Sequence, residues 1–331
     1  MDVKKHMRCV TQGHIATSFL GVQGVGGNPL AIFRDFPSSA SDVAAQMVFG
    51  GSAFHKDALA SMGGVSWPLM WLQGDTCDGR HVAGMQAMTV EGVNIRRLEW
   101  DGRVVGSCWS DDDADYCFLA GLVAEDLSMS REAQEGRVFE IMDCLLTEVG
   151  MHFRDVIRTW FFLDRLLDWY DSFNEVRSAF FEERGIFEGI VPASTGIGAA
   201  NPAGAALVSG AIAIRPRHGA VTLSVVDSPL QGSALDYRSA FSRAVEINFS
   251  DRRHLMISGT ASIAPDGSSM HRDDVSAQID LTMRVVKAIL DARGMGWESA
   301  LRGIAYFQNM NDAAELKDYC RSMDIPDLPV I

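Results

Sequence analysis

Residues 133–163 read AQEGRVFEIMDCLLTEVGMHFRDVIRTWFFL, and residues 277–307 read AQIDLTMRVVKAILDARGMGWESALRGIAYF. The two stretches align without a gap. Ala133 meets Ala277, Gln134 meets Gln278, and Leu146, Gly150, Met151 and Arg158 meet Leu290, Gly294, Met295 and Arg302. In the first stretch Ala133, Val138, Ile141, Met142, Leu145, Leu146 and Val149 share one face at helical spacing, with Ser130 as cap and Gly150 as stop. In the second, a helix over 275–293 stops at Gly294 in the same way. An apolar segment of β-branched and aromatic residues follows each, 156–163 and 300–307, and predicts a strand. Matched helix length, matched stop and matched strand read as a duplication.

Working outward, residues 93–100 alternate apolar and polar side chains, with one slip at Arg96 and Arg97 that a bulge would absorb. Asp101-Gly102 is a tight-turn dipeptide, and 103–109 is the partner strand of a hairpin. Residues 116–123 read as a buried strand, 164–184 as a second helix and 206–214 as a closing strand. The order recurs with strands at 246–249 and 255–263 and a second helix at 312–321. This is an α+β pattern of two tandem units, 92–215 and 220–331, each a mixed sheet with two helices on one face. The uncovered face must be buried, which predicts a pseudo-oligomeric monomer or a homo-oligomer with trimer-like packing. Residues 1–91 read as an irregular N-terminal segment associated with the first unit. It holds short strands near 48–52 and 67–72. Gly21-Val-Gln-Gly-Val-Gly-Gly-Asn-Pro29 lacks the GK[ST] ending of a phosphate loop and reads as a glycine-rich turn.

The composition narrows the function. Of 331 residues, 29 are Lys or Arg and 43 Asp or Glu, a net charge of −14, and no basic run offsets it. Such a surface repels phosphate backbones, so no nucleic-acid partner is expected. No stretch of membrane-span length is apolar and no secretion signal opens the chain, which points to a cytoplasmic protein with no membrane partner. Cys9, Cys77, Cys108, Cys117, Cys144 and Cys320 are scattered and read as reduced thiols. The eight histidines are equally dispersed, so no metal site is expected.

Three motifs carry a family resemblance. Tyr116-Cys-Phe-Leu-Ala-Gly121 and His254-Leu-Met-Ile-Ser-Gly-Thr-Ala-Ser-Ile263 resemble the strand before the first helix of the Rid (YjgF) family, a chorismate-mutase-like fold. Pro192-Ala-Ser-Thr-Gly-Ile-Gly198 with 206–213 is similar to that family's last two strands. Rid deaminases use an arginine for the substrate carboxylate and a glutamate that positions water. Those places fall on Ser194 and Gly210 in the first unit, and in the second unit the chain stops at Leu328-Pro-Val-Ile331, before that strand would begin. The chorismatases, which join two Rid-like units, are more similar. Tyr170-Asp-Ser-Phe-Asn-Glu-Val-Arg177 keeps their Tyr-x-x-Phe-Asn-x-x-Arg spacing, 258–263 resembles the opening of their second unit, and 48–71 resembles their leading region. The paired Phe161 and Phe162 depart from that family's strand, and its catalytic glutamate would fall beyond Ile331.

The resemblance implies a cofactor-independent hydrolase or lyase that takes a small carboxylate substrate and hydrolyses an enol-pyruvyl ether. An imine or enamine hydrolase with a rearranged site, and a non-catalytic ligand-binding or scaffold protein, stay open beside it. Tyr170, Asn174 and Arg177 fall on one helix face, where Arg177 can clamp a carboxylate; the alternative is a solvated face with Arg177 paired to Glu175 or Glu182. Thr195 and Gly196 sit in a turn able to hold an anion. Gly259 and Thr260 mark a close backbone approach, to substrate or to protein. Arg302 and Tyr306 face the same way on one strand, although the repetition of Arg158 at Arg302 favours a structural role.

Overall fold

The computed structural model describes residues 3–24, 31–34, 40–74, 82–217, 219 and 221–330. Cys77, Ile331 and residues 25–29 of the glycine-rich stretch lie outside them, while its residues 21–24 end a strand rather than form a turn. The N-terminal region is not irregular. It holds β1 (Val3–Gln12), β2 (Ile15–Gly24), α1 (Ala31–Arg34), β3 (Val43–Gly50), α2 (His55–Ser61), β4 (Leu69–Leu72) and β5 (Val82–Glu91), in a sheet of order β1-β2-β5-β3-β4. The reason it escaped the pattern is burial: every residue of β3 is covered, so no polar face alternates with an apolar one.

The next sheet contains β6 (Arg96–Trp100), β7 (Arg103–Ser110), β8 (Ala114–Leu122), α3 (Arg131–Glu148), β9 (Val156–Leu163), α4 (Tyr170–Glu183), β10 (Ala193–Gly198) and β11 (Leu207–Pro216). Its order is β10-β9-β11-β8-β7-β6. The N-terminal sheet, read as β4-β3-β5-β2-β1, follows the same order, with β3 and β4 parallel as β9 and β10 are. The hairpin β6–β7 has its register shift at Leu98 and Glu99, two residues past the slip in the alternation.

The third group is β12 (Thr222–Val226), β13 (Ala244–Asn248), β14 (Arg253–Ile257), α5 (Val275–Ala292) and α6 (Ala313–Ser322). The expected strand at 300–307 is not one. It makes a single parallel bridge, Gly303 to Val330. In the preceding sheet β11 lies between β8 and β9 and supplies both with ladder partners. No described strand takes that place beside 300–307, so its backbone has no ladder to join.

Helices α3 and α4 cover one face of the six-stranded sheet, where Phe139, Phe153, Phe161, Phe173 and Phe181 pack. The opposite face joins a core shared by all three sheets, with Met47, Met70, Trp160, Phe162, Val245 and Ile247. The sheets meet in a cycle. Leu69 on β4 abuts Gly121 at the end of β8; the Gly259 N–H, just past β14, donates to the Ser194 carbonyl on β10 at 2.8 Å. Gln23 on β2 donates to the Val330 carbonyl at 3.0 Å, closing the ring.

Candidate functional site

A cleft of about 1910 Å³ runs between the six-stranded sheet and the third group. β10 is the edge strand of its sheet, where Ala193 bridges to Ser242 of the third group, and the cleft reaches residues on both faces of it. On the face away from the helices, strand alternation aims Arg158, Trp160 and Phe162 the same way.

Arg158 is 6% exposed. It donates to the Thr159 carbonyl at 2.9 Å and to Thr195 Oγ1 at 2.5 Å, and its guanidinium carbon lies 4.7 Å from the Trp160 ring centroid. Arg302 comes from 300–307 in the third group and lies 5.5 Å from the same centroid, with Met47 Sδ as the acceptor of one N–H. Among the described residues, neither guanidinium has a carboxylate partner. Burial, then the nearby Arg302, push the Arg158 pKa down to about 9. Tyr306, 6.1 Å from Phe162 ring to ring, faces both arginines, and burial raises its phenol so that it stays protonated.

The other cluster belongs to α4. Tyr170, Asn174 and Arg177 do share a face: Asn174 Nδ2 donates to the Tyr170 carbonyl at 2.8 Å, and Arg177 Nη2 donates to Asn174 Oδ1 at 2.6 Å. Arg177 is 2% exposed and lines the cleft, so it pairs with neither Glu175 nor Glu182. It packs on Phe173, which belongs to the helix-covered core. The sequence-derived residues therefore form two clusters on opposite faces of the β9–β10 edge, not one.

Thr195 and Gly196, expected in a turn, lie in strand β10 paired with β9, and the residues around them mostly stitch units together. The Ser194 N–H donates to Ser258 Oγ at 2.8 Å, and Thr159 Oγ1 donates to Ser194 Oγ at 2.9 Å. A side chain at Gly259 would meet Thr195 at 3.3–3.4 Å, so the close approach there is to protein. Thr260 Oγ1 donates to the Ser258 carbonyl at 3.0 Å, while Gly196 has open space around it in the cleft. Gly210 has no room for a glutamate: a Cβ there would lie 2.7 Å from the Leu119 carbonyl and from Met70. That contact closes the ordinary Rid deaminase geometry in the six-stranded sheet.

With this geometry the chain can be compared with known proteins. No protein-family profile matches it, and no curated protein matches its sequence. Among solved structures, a chorismatase aligns over 100% of this chain and 93% of its own, with a TM-score of 0.64 and 16% identity. The fold is chorismatase-like. E. coli TdcF with bound serine and the E. coli YjgF gene product each cover 36% of the chain, with TM-scores of 0.30 and identities of 21% and 19%. The chorismatase likeness is one of architecture, and the side chains of the cleft have to carry the chemistry.

Sequence reasoning missed Arg158, Glu135 and Arg243. Arg158 was visible only as the partner of Arg302 in the duplication. Glu135 is fully buried on α3, three residues before Val138 and seven before Met142, so it sits on the apolar stripe where an acid is out of place. Arg243 is 6% exposed, donates to the Gly232 carbonyl and lies 5.5 Å from the Tyr237 ring. Among the described residues no three His, Cys, Asp or Glu side chains gather as a metal-binding group, and no helix is long and apolar enough to cross a membrane.

Proposed function

We propose that the chain is an enzyme acting on a small dicarboxylate, by chorismatase-like hydrolysis of an enol-pyruvyl ether. The observation that carries this reading is the pair Arg158 and Arg302, two desolvated cations on one indole with no acid beside them. Many other arginines of this acidic chain pair with carboxylates, as Arg184 does with Asp143, Arg215 with Asp115 and Arg293 with Glu246. Two buried guanidinium groups without counter-ions favour a ligand that brings two negative charges. The indole and the Tyr306 ring give that ligand an apolar wall, and the Tyr306 phenol gives it a hydrogen-bond donor.

The corresponding reaction protonates the methylene carbon of the enol-pyruvyl group, adds water to the resulting cation and expels pyruvate from the hemiketal. Carboxylates held by Arg158 and Arg302 would fix the ring while charge develops on the side chain. Incubation with chorismate and assay of pyruvate tests the reading. Pyruvate release lost in Arg302→Leu supports it. Saturable binding without pyruvate favours a ligand-binding protein, and ammonia from an amino-acid-derived imine favours a hydrolase of the deaminase type.

A further inference from the structure

On the helix-covered side of β10 the second cluster has a composition of its own. Among the described residues Arg177 Nε has no acceptor, and Asn174 is the one side chain that hydrogen-bonds to Arg177. Next to it Glu135 is 0% exposed, and neither carboxyl oxygen has a partner. Arg177 faces Glu135 on α3, Tyr170 on its own helix and Tyr237 on the turn Ala234–Tyr237. Glu135 faces Glu132 on its own helix and Arg177. Arg243 lies beyond, against Tyr237. Among the described residues no ion pair within 4.0 Å joins Arg177 to an acid, so this is not a closed structural salt bridge.

We propose that this is a second carboxylate site, separate from the arginine pair. Arg177, with the Tyr170 and Tyr237 phenols, takes the carboxylate of a small monoanion, and Glu135 is the internal counter-acid of the site. Glu135 is neutral while a ligand anion sits on Arg177, and in the vacant site at high pH it supplies the negative charge itself. Arg177 is the guanidinium that faces Glu135, and one cation cannot neutralise two carboxylates, so ligand and ionised Glu135 compete for it. Burial holds Glu135 protonated up to about pH 9, which leaves the site receptive at neutral pH. Below that pH the ligand binds without proton exchange. Above it, each ligand bound requires one proton from solvent to return Glu135 to the carboxylic acid, and affinity falls toward tenfold per pH unit. The proposal shares the small-carboxylate reading above and needs none of its reaction.

The test is calorimetric titration of the full chain with benzoate, an unreactive monocarboxylate, between pH 7.5 and pH 10. Arg302→Leu disables the arginine pair and is expected to keep benzoate binding; adding Arg177→Leu is expected to weaken it at least tenfold. With Glu135 present, affinity should fall about tenfold from pH 8 to pH 10. Arg158 also titrates near pH 9, so the readout is the difference that Glu135→Gln makes: the isosteric amide should remove that fall and abolish proton uptake at pH 9.5. The same comparison of wild type with Glu135→Gln stands if the leucine variants do not fold. Benzoate binding indifferent to Arg177→Leu would overturn the site, and an unchanged pH slope in Glu135→Gln would overturn the role of Glu135. Absence of pyruvate from chorismate would overturn only the reaction.

Discussion

Arg158 and Arg302 align in two similar stretches of the sequence, yet the fold brings both against one indole, 4.7 and 5.5 Å from the Trp160 ring centroid. The repetition favours a structural role on sequence grounds; the structure turns it into a pair of like charges in a cleft. Like charges that close destabilise the protein that holds them, and a dianionic ligand relieves the strain. Arg302→Leu should therefore leave thermal stability equal or higher while weakening binding of an inert aromatic dicarboxylate on the order of tenfold to a hundredfold. Differential scanning fluorimetry and calorimetry read the two effects. A loss of stability with unchanged affinity would assign Arg302 to the core.

Arg177→Lys checks the second cluster by a different route. An ammonium cannot reproduce the planar fork that reaches Asn174 and a ligand together, so benzoate affinity in the Arg302→Leu background should recover only in part, relative to Arg177→Leu. Full recovery would reduce Arg177 to a point charge.

Glu135 also gives a stability signature. Its ordinary value is 4.5 and burial pushes it up to about 9, so the folded state holds a proton that the unfolded chain releases. A carboxyl raised in this way contributes fully below about pH 4.5, and the contribution is lost as pH rises through that value toward 9. Glu135→Gln should be more stable than wild type at pH 8 by roughly 1–3 kcal/mol, with the gap closing toward pH 4.5. Urea unfolding at several pH values measures it, and a pH-independent difference would show that Glu135 is not titrating.

The two inter-sheet glycines should differ sharply. Gly121 has φ of +76° and a Cβ there would lie 2.1 Å from the Leu69 carbonyl oxygen, whereas at Gly259 the nearest atom is Thr195 Oγ1 at 3.3 Å. Gly121→Ala combines left-handed strain with a backbone clash and should cost several kcal/mol, roughly 3 or more, or block folding. Gly259→Ala should cost about 1 kcal/mol, because a threonine side chain can give way. Thermal melts of both variants provide the comparison.

Glu246 ties the third sheet to its helix. Its carboxylate accepts from Arg293 at 2.5 and 2.8 Å and lies 3.7 Å from Arg253. Arg293, the leading cause, holds the Glu246 pKa below its ordinary value, so its stabilisation is present above about pH 4.5 and lost as pH falls through the depressed value. Glu246→Gln should destabilise by roughly 1–3 kcal/mol at neutral pH and flatten the acid limb of the stability curve.

What the sequence made legible was periodicity. Helices α3 and α5 are long, capped by Ser130 and Asp274, and stopped before Gly150 and Gly294, so 3.6-residue spacing reveals them. Strands β6 and β7 follow from alternation and turn chemistry, and β8 and β9 from continuous apolar runs. The N-terminal sheet was hidden because its inner strand β3 is buried on both faces and its helices are a turn or two long. Residues 300–307 look like a strand because they are apolar, but a strand needs a neighbour, and hydrogen-bonding partners are not written in local composition. The Tyr170–Asn174–Arg177 face was visible for the same reason as the helices. That it lies across the sheet edge from Arg302 depends on which side of β10 each element packs, a tertiary fact.

The ring of contacts Leu69 to Gly121, Ser194 to Gly259 and Val330 to Gln23 has an evolutionary consequence. In an assembly of identical chains every substitution is made at all junctions together. Here the three junctions are encoded separately, so each can change without altering the others. One has closed around Leu69 and Met70, while another has opened into a cleft with arginines on both sides of a strand. Separate encoding within one chain lets a single junction specialise.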